Sequence, residues 1–111
     1  MTNEQLRAMA LGLPGAEQRE TWGHPTFRVR NRIFVGMAAG GTTASVKASR
    51  EEQAALIATD PATFSVAPNV GRHGWVEVRL DGVDPEEMQE LVTEAWCSTA
   101  PKRAVAEFDG D

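Results

Sequence analysis

Thr26-Phe27-Arg28-Val29-Arg30-Asn31-Arg32-Ile33-Phe34-Val35 decides how the rest of the chain is read. Phe27 and Val29 alternate with Arg28 and Arg30, the period of two of a strand with one buried face. Asn31 tolerates a left-handed backbone and marks the turn. The chain then returns through Ile33, Phe34 and Val35, so Thr26 to Met37 is predicted to be a β-hairpin. The alternation puts Arg28 and Arg30 on one strand face, with Arg32 beyond the turn. Ala38 to Gly41 is a loop of small residues, and Thr42 to Lys47 reads as a third strand. Three strands in sequence with short connections form an antiparallel meander.

Helices are expected on either side of this meander. Thr2 and Gln5 have the spacing of a capping box, followed by Leu6, Met9, Ala10 and Leu13 on one face. Gly12 and Pro14-Gly15 stop that helix. Ser49 and Glu52 repeat the capping box, and Leu56 and Ile57 are the core candidates of the second helix. Asp60-Pro61 ends it. Phe64 to Ala67 is a short strand, Pro68 to Gly74 a loop, and Trp75 to Leu80 a strand with Val76, Val78 and Leu80 on one face. Asp84-Pro85-Glu86-Glu87 combines a cap, a first-turn proline and carboxylates at the positive helix end. Met88, Leu91, Val92, Ala95 and Trp96 then form the strongest amphipathic stripe in the chain. After Pro101, Lys102 to Phe108 reads as one further short helical turn. The order α-β-β-β-α-β-β-α argues an α+β two-layer sandwich, an antiparallel sheet with helices packed on it.

Length and composition bound the function. The 111 residues suit one domain, 1–111, and 41% hydrophobic content suffices for a single core. No apolar run approaches the roughly 20 residues of a membrane-spanning helix, and the opening residues lack a secretory pattern. One cysteine, Cys97, excludes an internal disulfide framework and fits a reducing compartment, so a cytoplasmic location is expected. Two histidines and one cysteine make a zinc site built by this chain alone improbable, and neither a metal nor a cofactor is expected.

The net charge of −5 is unevenly spread. Residues 1–18 carry −1. Residues 19–50 carry +5, six bases against Glu20 alone. Residues 51–111 carry −9. Such polarity allows an acidic protein to present a basic face to a phosphate backbone, although charge runs commonly serve only solubility. Arg28, Arg30, Arg32, Lys47 and Arg72 are the candidates for phosphate contact, because a basic hairpin can lie along a nucleic-acid groove. The same arginines could equally protect an exposed hairpin from edge pairing. His24 precedes the first hairpin strand and His73 the last strand. With Trp22 and Trp75 they are candidates to line a ligand or partner site, the alternative being ordinary loop histidines.

Catalytic chemistry finds no such support. Ser45, Ser49 and Ser98 lack a nucleophile motif, Cys97 follows a core stripe, and the acid pairs Glu51-Glu52 and Glu86-Glu87 are explained by helix starts. Gly71 and Gly74 are not followed by the Lys-Ser/Thr of a phosphate loop. The protein is expected not to be an enzyme.

The hairpin Thr26 to Val35 resembles the Phe-Lys-Val-x-Gly-Lys-Ile-Phe hairpin of the MmcQ/YjbR family. Ser45-Val46-Lys47 is similar to its following strand, Val66-Ala67-Pro68 through Gly74-Trp75-Val76-Glu77-Val78 to its proline loop and tryptophan strand, and Pro85 to Trp96 to its acidic-start helix. The resemblance runs from the first helix to about Pro101. It implies a two-layer α+β fold related to type III secretion chaperones and CyaY-like proteins. It also implies binding of double-stranded DNA by a double wing, with Arg28, Arg30, Arg32 and Lys47 in one wing and Arg72 and His73 in the second loop. Asn69 stands where the family often has an aromatic, and Ala95-Trp96 where a Ser-Tyr pair is usual. The alternative is a protein-interaction, self-associating or small-ligand module of the same fold without nucleic-acid binding.

Overall fold

The computed structural model describes residues 1–21, 23–38 and 40–109. Each predicted helix forms where its cap places it. Helix α1 (Asn3–Leu11) starts with both arms of the Thr2/Gln5 capping box made. Helix α2 (Arg50–Thr59) does the same with Ser49 and Glu52. In α3 (Pro85–Cys97) the Asp84 carboxylate accepts from the Glu87 N–H. These contacts satisfy backbone donors that the first helical turn leaves free. Helix α4 (Lys102–Asp109) closes the described chain.

The strands are β1 (Ala16–Thr21), β2 (His24–Val29), β3 (Arg32–Met37), β4 (Thr43–Val46), β5 (Phe64–Val66) and β6 (Val76–Arg79). They form one antiparallel sheet in the order β1-β2-β3-β4-β6-β5. The expected α+β sandwich is present, with a strand, β1, added between the first helix and the hairpin. Its residues, Ala-Glu-Gln-Arg-Glu-Thr, have no apolar alternation and none is buried. Backbone pairing with β2 holds it, and its charged side chains suit a sheet edge. The hairpin strand also starts earlier than expected, at His24.

One sheet face carries the core. Phe27, Val35, Val46 and Val76 align across four strands, as do Met37, Ala44, Val78 and Phe64 across the next row. Leu6 and Ala10 of α1 and Met88, Val92, Ala95 and Trp96 of α3 cover this face. Leu56 and Ile57, expected in the core, are only half-buried, because α2 lies against the β5 edge rather than over the sheet. A register shift between Phe27 and Arg28 lets both Phe34 and Val35 be buried on β3. The opposite face carries Thr26, Gly36, Ser45 and Glu77 in one row, and no described helix covers it.

Candidate functional site

The register decides which charges meet. Val29 pairs with Arg32, Val35 with Val46, and Val46 with Val76. The β2–β3 turn, the start of α2 and the β5–β6 loop therefore emerge at the same end of the sheet. Arg30 and Arg32 from the turn, Arg50 from α2 and Arg72 from the loop all belong to this end. Arg103 of α4 lies there too, lining a cavity of about 280 Å3 with Arg30, Val29 and Pro14. Arg50 and Arg72 are joined directly, since Arg50 Nε–H donates to the Arg72 carbonyl at 2.8 Å. Strand β6 and helix α2 finish at the other end, which collects Asp60, Asp81, Asp84, Glu86 and Glu87. The sequence polarity thus becomes a spatial one, running along the strands. Glu51, Glu52, Glu94, Glu107 and Asp109 are acids at or near the basic end, and Arg79, paired with Asp81, is a base at the acidic end. No described carboxylate lies within 4 Å of Arg30, Arg32, Arg50 or Arg72.

The turn itself is a two-residue loop, Arg30-Asn31, with φ of 52° and 65°. Two consecutive left-handed residues match the right-handed twist of the flanking strands. The expected pairing of Arg28 and Arg30 on one strand face is thereby corrected, because Arg30 sits in the turn and not in the strand. The two arginines also differ in employment. Arg28 is half-buried and donates to Thr21 Oγ1 at 2.7 Å, Thr26 Oγ1 at 3.3 Å and Asn31 Oδ1 at 3.2 Å. It ties β1, β2 and the turn together on the open face. Arg30 and Arg32 are exposed.

Lys47 is also structurally engaged. Its Nζ donates to Thr99 Oγ1 at 3.2 Å, and Thr99 Oγ1 donates to the Ala95 carbonyl. The ammonium therefore sits by the C-terminal turn of α3, where the helix dipole favours a cation. Of the five predicted phosphate contacts, Arg30, Arg32 and Arg72 are exposed at the basic end, whereas Arg28 and Lys47 hold the fold together. Arg50 and Arg103 were absent from that set. They are far from the hairpin in sequence, and only the topology brings them near it.

The predicted histidine–tryptophan site divides. Trp22 lies outside the described residues. His73 is exposed and accepts from Arg72 Nε–H at 3.3 Å, in the loop at the basic end. His24 begins β2 at the opposite end, opposite Thr21. His24 and Trp75 do share a feature, a groove of about 420 Å3 on the open sheet face. His24 Nδ1 is buried and has no hydrogen-bond partner among the described residues. Glu77, Gly36 and Ser45, which no sequence motif marks, form the groove's floor. Strand alternation alone could have placed them on this face.

Among the described residues no group of three His, Cys, Asp or Glu side chains is placed to hold a metal ion. The Cys97 thiol is half-buried, and burial, followed by the nearby Asp109 and Glu94 carboxylates, pushes its pKa up. A thiol so held in its neutral form is a poor nucleophile at neutral pH. No described helix is long and apolar enough to cross a membrane.

A family model described as YjbR matches residues 11–98. The uncharacterized protein Rv2570 of Mycobacterium tuberculosis and the uncharacterized protein Mb2600 of Mycobacterium bovis are each 39% identical over 54 residues, 49% of this chain and 42% of theirs. The matched stretch spans less than half of these relatives. The crystal structure of Deinococcus radiodurans protein DR2400, with family-model domain DUF419, matches at a TM-score of 0.80 and 22% identity, over 87% of this chain and 77% of that one. That likeness is one of fold.

Proposed function

From the premise that this chain belongs to the YjbR family, we propose that it is a non-enzymatic, cytoplasmic domain that binds duplex DNA through its basic end. The observation that carries the reading is the convergence of exposed Arg30, Arg32, Arg50 and Arg72 at one end of the sheet, opposite the acidic end. Guanidinium groups without a carboxylate partner are available for bidentate contact with phosphate oxygens. The acidic far end turns the molecule's dipole so that the basic end meets a polyanion first. Asn69 stands in place of a loop aromatic, which fits backbone contact better than recognition of unpaired bases.

The hairpin turn adds a separate argument. A non-glycine residue at positive φ costs about 1–2 kcal/mol, and Arg30 bears that cost where glycine would not. Strain retained at an exposed charged position suits a side chain kept for contact rather than for folding. Arg30→Gly is expected to raise stability by about 1 kcal/mol in chemical denaturation while lowering DNA affinity. A loss of stability would remove this argument.

The direct test is fluorescence anisotropy of a labelled duplex of about 30 base pairs, at low and at physiological salt. Arg30→Glu, Arg32→Glu and Arg72→Glu combined should weaken low-salt binding about 100-fold and lower the slope of log affinity against log salt by about 2 to 3. These substitutions spare Arg28 and Lys47, whose loss would confound affinity with folding. Unchanged affinity in the triple variant would sink the proposal and turn the search to protein partners.

A further inference from the structure

The open face of the sheet holds a groove that DNA binding at the basic end does not use. Its floor is the cross-strand row Thr26, Gly36, Ser45 and Glu77, and Trp75 walls one side. At about 420 Å3 it falls within the range of small-molecule sites. Gly36 makes the groove. A Cβ built there meets nothing within 4 Å, and its backbone is not in the left-handed region. Sheet stability alone would favour a β-branched residue at such a position, since glycine weakens a strand interior. The space above Gly36 is therefore kept open at a cost to the sheet.

The charges around this space select a ligand. Glu77 is the only carboxylate in the described lining, and no Lys or Arg side chain contributes to it. Glu77 is half-buried, and among the described residues it makes neither an ion pair nor a side-chain hydrogen bond. Trp75 lies two residues before Glu77, on the same side of the strand, and is half-buried in the groove. A carboxylate beside an indole face is the pairing that binds an organic cation, through Coulomb attraction and the ring quadrupole together. Apart from the His24 imidazole and the Asn69 amide, the rest of the described lining is hydroxyl-bearing or apolar, suited to an uncharged body. The nearest strong cation on this face is Arg79, two residues after Glu77 and opposite Thr43. It does not line the groove, and its guanidinium pairs with Asp81 at 3.3 Å. Arg28 is on β2, three strand spacings or about 14 Å from β6. Its guanidinium is already engaged by Thr21, Thr26 and Asn31.

We propose that this groove is a binding site for a small organic ammonium compound, with the cationic head between Trp75 and Glu77 and an apolar body over Gly36.

The test compares three probes that share a phenyl-alkyl body: 2-phenylethylammonium, 2-phenylethanol and 3-phenylpropionate. Each is titrated into the full chain and followed by amide and indole NMR shifts. The ammonium is expected to shift Gly36, Ser45, Glu77 and the Trp75 indole in a saturable way, and to bind about tenfold more tightly than the alcohol. Glu77→Gln should remove that preference and leave alcohol binding unchanged. Gly36→Val should abolish binding of both without loss of fold, because its side chain enters empty space. Equal affinity for ammonium and alcohol, tighter binding of the carboxylate, or ammonium shifts that survive Gly36→Val would each overturn the proposal. DNA affinity of Gly36→Val should equal that of the parent, so failure here and failure of the DNA reading are separately visible.

Discussion

Trp96→Ala is expected to lower the melting temperature by about 20 °C. Trp96 is fully buried and joins three parts of the chain. It stands on α3, its ring meets Phe108 of α4 at a centroid distance of 5.1 Å and a tilt of 56°, and its Nε1–H donates to the Pro14 carbonyl at 2.9 Å. Truncating a buried tryptophan costs about 3–5 kcal/mol through lost transfer energy and the cavity left behind. Leaving the Pro14 carbonyl unpaired adds about 1 kcal/mol. Set against a total of about 5–15 kcal/mol for a domain, the loss is severe. Trp96→Phe keeps most of the volume and forfeits the hydrogen bond, so it should lose well under half as much. Thermal denaturation by circular dichroism measures both. A Trp96→Ala transition within about 3 °C of the parent would mean that α4 does not pack as described.

Gly74→Ala is the second large effect, and here the backbone decides. Gly74 ends the 3-10 turn Gly71–His73 with φ at 103°. A Cβ there would lie 2.5 Å from the Ala48 carbonyl oxygen, 2.7 Å from the Ser49 carbonyl carbon and 2.8 Å from the Arg50 nitrogen. These are backbone atoms at the start of α2 and cannot step aside as a flexible side chain would. The substitution must separate the loop from the helix. It would break the bonds from Gln53 Nε2 to the Gly71 and Trp75 carbonyls, at 2.8 and 2.6 Å, and the Arg50–Arg72 bond. Positive φ and overpacking together cost about 2–5 kcal/mol. Because Arg50 and Arg72 would lose their relative placement, DNA affinity should fall as well. Gly36→Ala is the control, and its added methyl should be neutral or stabilising. If Gly74→Ala melted with the parent, the close approach of loop and helix would be wrong.

What could be read without the structure follows from where the governing interactions lie. The helix starts at Thr2, Ser49 and Asp84 depend on side chains and N–H groups within one turn, so they were legible at once. Strands with one buried face, such as Phe27/Val29 and Val76/Val78, announce themselves by alternation. Strand β1 does not, because an edge strand held by backbone pairing need not carry an apolar residue. The asymmetric charge was equally visible, as was the arginine-rich hairpin.

The duties of those side chains were settled only by non-local register. Pairing of β3 with β4, and of β4 with β6, brings a turn, a helix start and a loop to one end and carries Arg50 and Arg72 to the hairpin's side. The same register separates His24 from His73, turns Lys47 to α3, and leaves Glu77 with Trp75 over an empty Gly36. Local sequence determined the elements and the charge each one carries. Tertiary pairing, which joins residues far apart along the chain and leaves no periodic trace, determined which charges face solvent together and where a ligand finds room.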